Sequence, residues 1–184
     1  GHVRTSSFTD SAVYSIWIID PEDSQTSIID IDSNGFIGMA DDGTASVYVQ
    51  SSNVFGKLVV DITNNSFNDL YTEAVYVDMN AGQVDLDLEI SNNTFTDIVG
   101  DGVRIELQSI SPDLIQVNNN SFKNIAARQE AVDIDARAVN TGKNPIQIIG
   151  NTSTQGGIDV FSDQLKPNEF EVVVDYNWFP NEII

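Results

Sequence analysis

The sequence predicts an all-β fold, a three-sided solenoid of about six coils, from three observations. A short phrase such as ITNNSF or ISNNTF returns six times, at spacings of 26 to 31 residues. Apolar and polar residues alternate on both sides of each phrase, as is typical of strands with one buried face. No window of about 11 or more residues keeps the 3.6-residue period of a helix. Such a period indicates units that bury their apolar faces against their neighbours.

Within each coil the apolar pattern predicts three short strands. The first strand precedes the repeated phrase, and one of its inward columns comprises Ile31, Ile62, Ile90, Val117, Ile148 and Val174. The second strand follows the phrase, and its inward aromatic column comprises Phe36, Phe67, Phe95, Phe122 and, in the last coil, Phe179. The third strand follows a polar gap, and its leading inward column comprises Val47, Val75, Val103, Val132 and Ile158. We interpret the aromatic column as a core stack, because it recurs in phase with inward aliphatic residues.

Every phrase carries an asparagine at the same point of the coil. These residues are Asn34, Asn65, Asn93, Asn120, Asn151 and Asn177. Asparagine tolerates the left-handed backbone of a turn, and its amide both donates and accepts hydrogen bonds. Copies stacked at the strand spacing of about 4.8 Å can therefore bond along the column. We predict an internal Asn ladder that also provides the left-handed turn, and the pairs at 64/65, 92/93 and 119/120 suggest a second, partial ladder.

Four N-x-S/T strings accompany these phrases. They begin at Asn64, Asn92, Asn119 and Asn151. In a secreted protein such strings are acceptors for N-linked glycans. Because a ladder accounts for repeated asparagines, we expect structure rather than glycan attachment to explain them.

The composition excludes several classes of function. The chain has 28 acidic and 8 basic residues and a net charge of -20. This charge repels phosphate backbones and anionic membranes, so we expect no nucleic-acid partner. We expect no membrane insertion either, because no apolar run approaches the roughly 20 residues that span a bilayer. Without cysteine and with His2 as the single histidine, the chain has no thiolate metal site, thiol nucleophile or histidine triad.

The chain divides into a short start and one repeat domain. Residues 1-2 look like the remnant of an expression tag. The single domain spans 3-184, with an N-terminal strand and edge segment at 3-27 and the coils at 28-184. The first and last coils of a solenoid expose strand edges that must be capped, paired with another chain or continued in a longer protein. We therefore expect either a longer parent protein or end-to-end self-association.

The repeated pattern resembles a known family. An apolar strand, then N-N-x-F or N-x-x, a short strand and G-hydrophobic-x-hydrophobic resembles the right-handed parallel β-helix repeat of the pectin-lyase-like superfamily, over residues 12–179. This resemblance implies the fold but no single activity, since the solenoid serves polysaccharide lyases, glycoside hydrolases, phage tailspikes and bacterial surface proteins. The ending VVVDYNWF also resembles the phrase that closes repeat arrays in large bacterial and archaeal surface proteins, which implies an extracellular or cell-surface location.

The resemblance also places a candidate site. In the pectate-lyase-like members a substrate cleft runs along the outer face of the strand that corresponds to the third strand here. One outward column on that strand comprises Tyr48, Tyr76, Arg104, Asp133 and Asp159, and the column beside it comprises Gln50, Asp78, Glu106 and Asp135. Tyrosines can stack on sugar rings, an arginine can hold a carboxylate, and neighbouring acids can bind calcium. We predict that any ligand binds on this face.

The acidic column raises the question of calcium. Two carboxylates about 5 Å apart repel by roughly 3 kcal/mol at an effective dielectric constant near 20. A calcium ion on Asp78, Glu106 and Asp135 would relieve this repulsion, as would a shifted pKa or hydrated side chains that turn apart. Calcium binding and a solvated acidic surface are the two alternatives that the sequence leaves open.

Two classes of function remain. The first is a non-catalytic module for binding or presentation, an adhesin-like stalk or a carbohydrate-contacting domain whose partners are polysaccharides or other cell-surface molecules. The alternative is a calcium-dependent polysaccharide lyase, or a glycoside hydrolase, that acts on an acidic polysaccharide. For a lyase the resemblance implies Arg104 as the catalytic base, although a surface salt bridge is the other role open to this residue. Carboxylates on adjacent and alternate rungs, about 5 and 10 Å apart, would match retaining and inverting hydrolases, but any acidic ladder has this geometry.

Overall fold

The computed structural model describes residues 1–10, 14–19, 26–39, 44–50, 55–79, 83–108, 113–137, 146–162 and 172–178. These residues form strands and no helix, so no helix among them could cross a membrane. In chain order the strands are β1 (His2–Arg4), β2 (Ser7–Thr9), β3 (Tyr14–Ile19), β4 (Thr26–Asp32), β5 (Gly35–Met39), β6 (Ala45–Gln50), β7 (Phe55–Thr63), β8 (Ser66–Leu70), β9 (Glu73–Met79), β10 (Gln83–Ser91), β11 (Thr94–Ile98), β12 (Val103–Gln108), β13 (Leu114–Asn118), β14 (Ser121–Ile125), β15 (Val132–Arg137), β16 (Ile146–Ile149), β17 (Thr152–Ser153), β18 (Ile158–Ser162) and β19 (Val172–Asp175).

The strands build three parallel sheets around one core. The first sheet has the order β1-β4-β7-β10-β13-β16-β19, the second β2-β5-β8-β11-β14-β17 and the third β3-β6-β9-β12-β15-β18. Each strand pairs in parallel with the strand three places further along the chain, which lies one coil away. The predicted right-handed parallel β-helix is confirmed. The predicted number of about six coils agrees approximately with the six strands in each of the second and third sheets.

The predicted inward columns form the core. Their clearest part is the aromatic stack of Phe36, Phe67, Phe95 and Phe122, whose rings are buried and follow one another at centroid distances of 4.6 to 4.9 Å. Phe8 extends the stack by one coil at 4.9 Å from Phe36. Phe179 lies outside the described residues. Stacking between rings of successive coils stabilises the second sheet, in addition to the stabilisation from the apolar area that the rings bury.

The Asn ladder is confirmed. Each side-chain amide donates to the Oδ1 atom of the next Asn, at 3.0 to 3.1 Å from Asn34 through to Asn177. The same Oδ1 atom accepts the backbone N–H of the preceding Asn; for Asn93 this donor is Asn65, at 2.8 Å. The amide also donates to a strand carbonyl one coil earlier, from Asn93 to the oxygen of Ile62 at 2.8 Å. The ladder thereby satisfies polar backbone groups at a turn that is shielded from water.

The prediction that the ladder residues provide the left-handed turn is wrong. Positive φ angles occur one residue earlier in each coil, at Ser33, Asn64, Asn92, Asn119, Gly150 and Tyr176, with values from 53° to 70°. A ladder side chain must point into the turn, and the residue before it reverses the chain. The predicted second, partial ladder does not form between Asn64 and Asn92. Asn64 instead donates to Asp32, and Asn92 donates to Ser91.

The N-terminal residues add a coil in register. Strands β1, β2 and β3 pair with β4, β5 and β6. The predicted boundary between residues 27 and 28 falls inside β4. Ser6 occupies the ladder position of this coil, and its backbone N–H donates to Asn34 Oδ1 at 2.9 Å.

Candidate functional site

The outer face of the third sheet carries the two predicted columns side by side. Pairing of β6, β9, β12, β15 and β18 places Tyr48, Tyr76, Arg104, Asp133 and Asp159 in one row along the solenoid axis. The same register aligns the second row, Gln50, Asp78, Glu106, Asp135 and Phe161. The predicted neighbours are therefore confirmed. Their role in binding stays a prediction.

Two aromatic residues that the sequence did not suggest extend this face. Trp17 pairs in register with Tyr48. Tyr14 stacks on the Tyr48 ring at a centroid distance of 5.1 Å and an interplanar angle of 10°. The Tyr76 ring is the next along the row, with its centroid 5.2 Å from the centroid of the Tyr48 ring. The result is a continuous aromatic row that begins at the first coil.

Exposure separates the members of this row. Tyr48 is only 7% exposed, because its ring lies between those of Tyr14 and Tyr76. Little of the Tyr48 ring is therefore free to stack on a sugar, and its role in binding stays a prediction. Trp17 is 52% exposed and has room for a ligand ring. The phrase Thr5-Ser6-Ser7-Phe8 could have revealed Trp17, because it matches Asn64-Asn65-Ser66-Phe67 position for position and sets the register of the first coil.

Each acid of the second row has its own partner. The Tyr48 hydroxyl donates to Asp78 Oδ2 at 3.0 Å. Arg104 donates from Nε and Nη2 to Glu106 Oε1, at 2.9 and 2.6 Å. Arg137 contacts both oxygens of Asp135, at 2.9 and 2.6 Å. The repulsion expected between neighbouring carboxylates is thus offset by protein groups.

Asp78 is the most constrained of these acids. It is 9% exposed, and its Oδ1 atom is buried without a hydrogen-bond partner. Burial raises the pKa of the Asp78 carboxyl and the charge of Glu106 adds to the increase, while the Tyr48 hydrogen bond works against it. A buried carboxylate with an unpaired oxygen is unfavourable when charged.

The calcium hypothesis gains no support from this geometry. Within the described ranges, no group of three or more His, Asp or Glu side chains is arranged to hold a metal ion. The predicted ligands Asp78, Glu106 and Asp135 are engaged with a tyrosine and two arginines.

Arg104 has the surroundings of a salt-bridge residue. Its guanidinium lies 5.6 Å from the centroid of the Tyr76 ring, and its Nη1 atom is 3.8 Å from Glu73 Oε1. Burial works to lower the pKa of Arg104, but the Glu106 hydrogen bond and the charges of Glu106 and Asp133 outweigh it, so the pKa is raised. A base that abstracts a proton must first be neutral. The contacts therefore favour the salt bridge over proton abstraction.

A buried acid at the edge of this face was missed by the sequence. Asp101 lies in the turn before β12, is 4% exposed, and its Oδ1 atom accepts the Glu130 backbone N–H at 2.7 Å. Burial raises the pKa of Asp101 to about 6; the Glu130 hydrogen bond lowers it, and the charges of Asp133 and Glu73 raise it further. Glu130 repeats the contact one coil later, where Oε2 accepts the Gly157 N–H at 2.6 Å. These carboxyl groups tie successive turns together.

The face as a whole changes character along the axis. It begins with aromatic rings, passes through the Arg104 cation and ends in the acids Asp133 and Asp159. Burial raises the pKa of Asp133, and Asp159, Asp135 and Glu106 raise it further, against the lowering effect of Arg104. Such a surface can stack a ring at one end and accept hydrogen bonds from hydroxyl or amino groups at the other.

The comparisons with known proteins do not extend these observations: no protein-family model, no curated protein and no solved structure matches the chain.

Proposed function

We propose that this chain is a carbohydrate-contacting module of an extracellular or cell-surface protein, and that it binds without catalysis. The observation that carries the proposal is the row on the outer face of the third sheet, from the exposed ring of Trp17 to the carboxylates beyond Arg104. A flat ring packs against the apolar face of a sugar, and carboxylates accept hydrogen bonds from sugar hydroxyls. The row runs along the solenoid axis, which suits a linear saccharide.

The net charge of the chain limits the classes of saccharide that suit this face. A net charge of -20 repels anionic polymers. Arg104, the cation of the row, is already paired with Glu106. A neutral saccharide, or one with amino groups, therefore fits this face better than a polyuronate.

The location belongs to the same proposal. The resemblance of the repeats to the pectin-lyase-like superfamily, and of the VVVDYNWF ending to large bacterial and archaeal surface proteins, supports an extracellular module. The parallel β-helix agrees with that origin, although the fold alone is compatible with many functions.

A saccharide-binding screen with two tryptophan variants tests the proposal. Trp17 and Trp178 are both exposed, at 52% and 63%, but Trp178 bridges to the second sheet and serves as the matched control. We expect Trp17→Ala to weaken binding about tenfold or more, equivalent to about 1.4 kcal/mol, and Trp178→Ala to leave it unchanged. Equal losses in both variants, or no loss in either, would contradict the site.

A polysaccharide lyase or glycoside hydrolase on the same face is the second candidate. The raised pKa of Asp133 favours the hydrolase of the two, because Asp133 pairs in register with Asp159 and a general acid needs such a neighbouring carboxylate. The saccharides that bind are incubated with the protein, with and without calcium, and analysed for new ends. An enzyme releases product and loses activity with Asp133→Asn, whereas a binding module releases none.

A further inference from the structure

Three of the four N-x-S/T strings place their asparagine outside the ladder. The ladder uses the second Asn of each pair, and these residues are buried. The first members, Asn64, Asn92 and Asn119, are exposed. The expectation that the ladder explains the strings is therefore wrong for these three positions.

Left-handed backbone explains only half of each string. It favours asparagine or glycine at the turn, as Gly150 in the same column shows, although Tyr176 also adopts a positive φ there. It places no demand on the residue two positions later. Ser or Thr also stands at this point in coils without that asparagine, as Thr152 does after Gly150. In the three coils with the asparagine, Ser66, Thr94 and Ser121 complete the acceptor string and are exposed on the second sheet.

We propose that Asn64, Asn92 and Asn119 are acceptor sites for N-linked glycans. The donor is an oligosaccharide carried on a lipid pyrophosphate. The Asn Nδ2 atom attacks the anomeric carbon, a C–N bond forms, and the C–O bond to the pyrophosphate breaks. The lipid pyrophosphate leaves, and the proton lost from Nδ2 passes through a base of the transferase to solvent.

The turn accommodates a substituted amide. Backbone N–H groups anchor the three residues to the adjacent coil at 3.2, 3.1 and 2.9 Å, so their side chains are not needed to hold the chain. Asn64 Nδ2 donates to Asp32 Oδ1 at 2.8 Å in a hydrogen bond that is exposed to solvent. A glycosylated amide keeps one N–H and can still donate this bond.

The fourth string provides an internal contrast. Asn151 is fully buried. Its Nδ2 atom donates to the Val117 oxygen at 2.7 Å and to Asn177 Oδ1 at 3.0 Å, which uses both amide hydrogens. A glycan there would break the ladder, so the folded protein carries none at Asn151.

Spacing limits how many sites are occupied at once. Adjacent rungs are about 4.8 Å apart, which is narrower than a branched glycan. A glycan on Asn92 therefore excludes one on Asn64 or Asn119. Full occupancy corresponds to two glycans, on the outer two sites, about 10 Å apart.

The test expresses the chain behind a secretion leader in a eukaryotic cell and maps its glycans by intact-mass and peptide analysis, with and without an enzyme that removes N-linked glycans. The expected result is one or two glycans, confined to Asn64, Asn92 and Asn119. A variant with Asn→Gly at all three sites retains left-handed backbone, and we expect it to be secreted without glycans.

A second variant keeps the experiment decisive if the glycine variant does not fold. Ser66→Ala, Thr94→Ala and Ser121→Ala together leave every Asn in place but remove the acceptor strings, and this variant should also lack glycans. A secreted, folded wild-type chain without glycans would overturn the proposal, as would a glycan on Asn151. The leader supplies export, and binding to saccharides is measured on unglycosylated protein, so this result is independent of the proposed function.

Discussion

Adjacent asparagines have different tasks at each turn between the first and second sheets. Asn92 has a φ of 57° and reverses the chain. Asn93 lies in the ladder, where its Oδ1 atom accepts from the backbone and side chain of Asn65 and its Nδ2 atom donates to the oxygens of Ile62 and Asn120. Two like residues in sequence therefore contribute to stability by separate mechanisms.

Asn93→Ala tests the ladder. It leaves two donors of Asn65 unpaired and removes the side-chain donor to the Ile62 oxygen, and we expect the free energy of unfolding to fall by about 2 to 3 kcal/mol. Asn92→Gly is the matched control; glycine adopts positive φ freely, so the loss should stay below about 1 kcal/mol. Urea denaturation of both variants provides the comparison, and equal losses would contradict separate tasks.

Asp101 makes stability depend on pH. Its folded pKa, about 6, lies above the ordinary value of 3.8. The protonated Asp101 carboxyl therefore contributes to the stability of the fold, and this contribution is fully present below pH 3.8 and is lost as the pH rises through 6. Asparagine keeps an acceptor for the Glu130 N–H without the buried charge. We expect Asp101→Asn to stabilise the fold by about 2 kcal/mol at pH 8 and to have little effect at pH 4.

Urea denaturation at both pH values checks this prediction, with the exposed Asp85→Asn as control. The control should change stability little and equally at the two pH values. A stabilisation by Asp101→Asn that is the same at pH 4 and pH 8 would show that the carboxyl group is not perturbed by burial.

At the scale of the elements, close backbone approach fixes the corner between the second and third sheets. A Cβ atom at Gly100 would lie 2.5 Å from the Thr72 carbonyl carbon and 2.6 Å from the Glu73 nitrogen, both backbone atoms. A Cβ atom at Gly35, in β5, would meet nothing within 4 Å. The corner therefore needs glycine for space, whereas the strand does not.

Gly100→Ala should cost about 1 to 3 kcal/mol, because backbone atoms of the adjacent coil must move. Gly35→Ala should be neutral, or should stabilise by about 0.4 to 1 kcal/mol through a less flexible unfolded chain. Thermal unfolding of the two variants measures the contrast. A tolerated alanine at Gly100 would contradict the packing of this corner.

At the scale of the whole molecule, strand edges at the two ends of a sheet favour self-association, and the net charge opposes it. Within the described residues the third sheet ends in β3 on one side and in β18 on the other. Such edges can pair with a second copy, but a net charge of -20 per chain opposes it. We propose end-to-end self-association that strengthens with salt, because salt screens the repulsion.

Light scattering after size-exclusion chromatography measures the molar mass at low salt and at about 0.5 M salt, where the screening length is only a few ångströms. The mass should rise with protein concentration, and more steeply in salt. A constant monomer mass under all conditions would contradict the proposal.

The position of a residue could be predicted from the sequence where the residue recurs at the same point of every coil, and could not where it departs from the repeat. The spaced Asn and Phe residues set the register of every coil from Asn34 onward, so the columns containing Tyr76 and Arg104 were correctly placed. Trp17 was missed because its coil has Ser6 where the others have Asn. The burial of Asp101 depends on its packing against the next coil, which a single repeat does not encode. The left-handed position was misassigned because either Asn of a pair suits such a turn.

We propose that ligands bind on the outer face of the third sheet at Trp17. The most direct measurement titrates Trp178→Phe, in which Trp17 is the sole tryptophan, with the saccharides that bind, and follows its fluorescence. We expect a saturable change in Trp17 emission at the affinity found in the screen. Binding without any change in emission would contradict it and would place the ligand elsewhere on the solenoid.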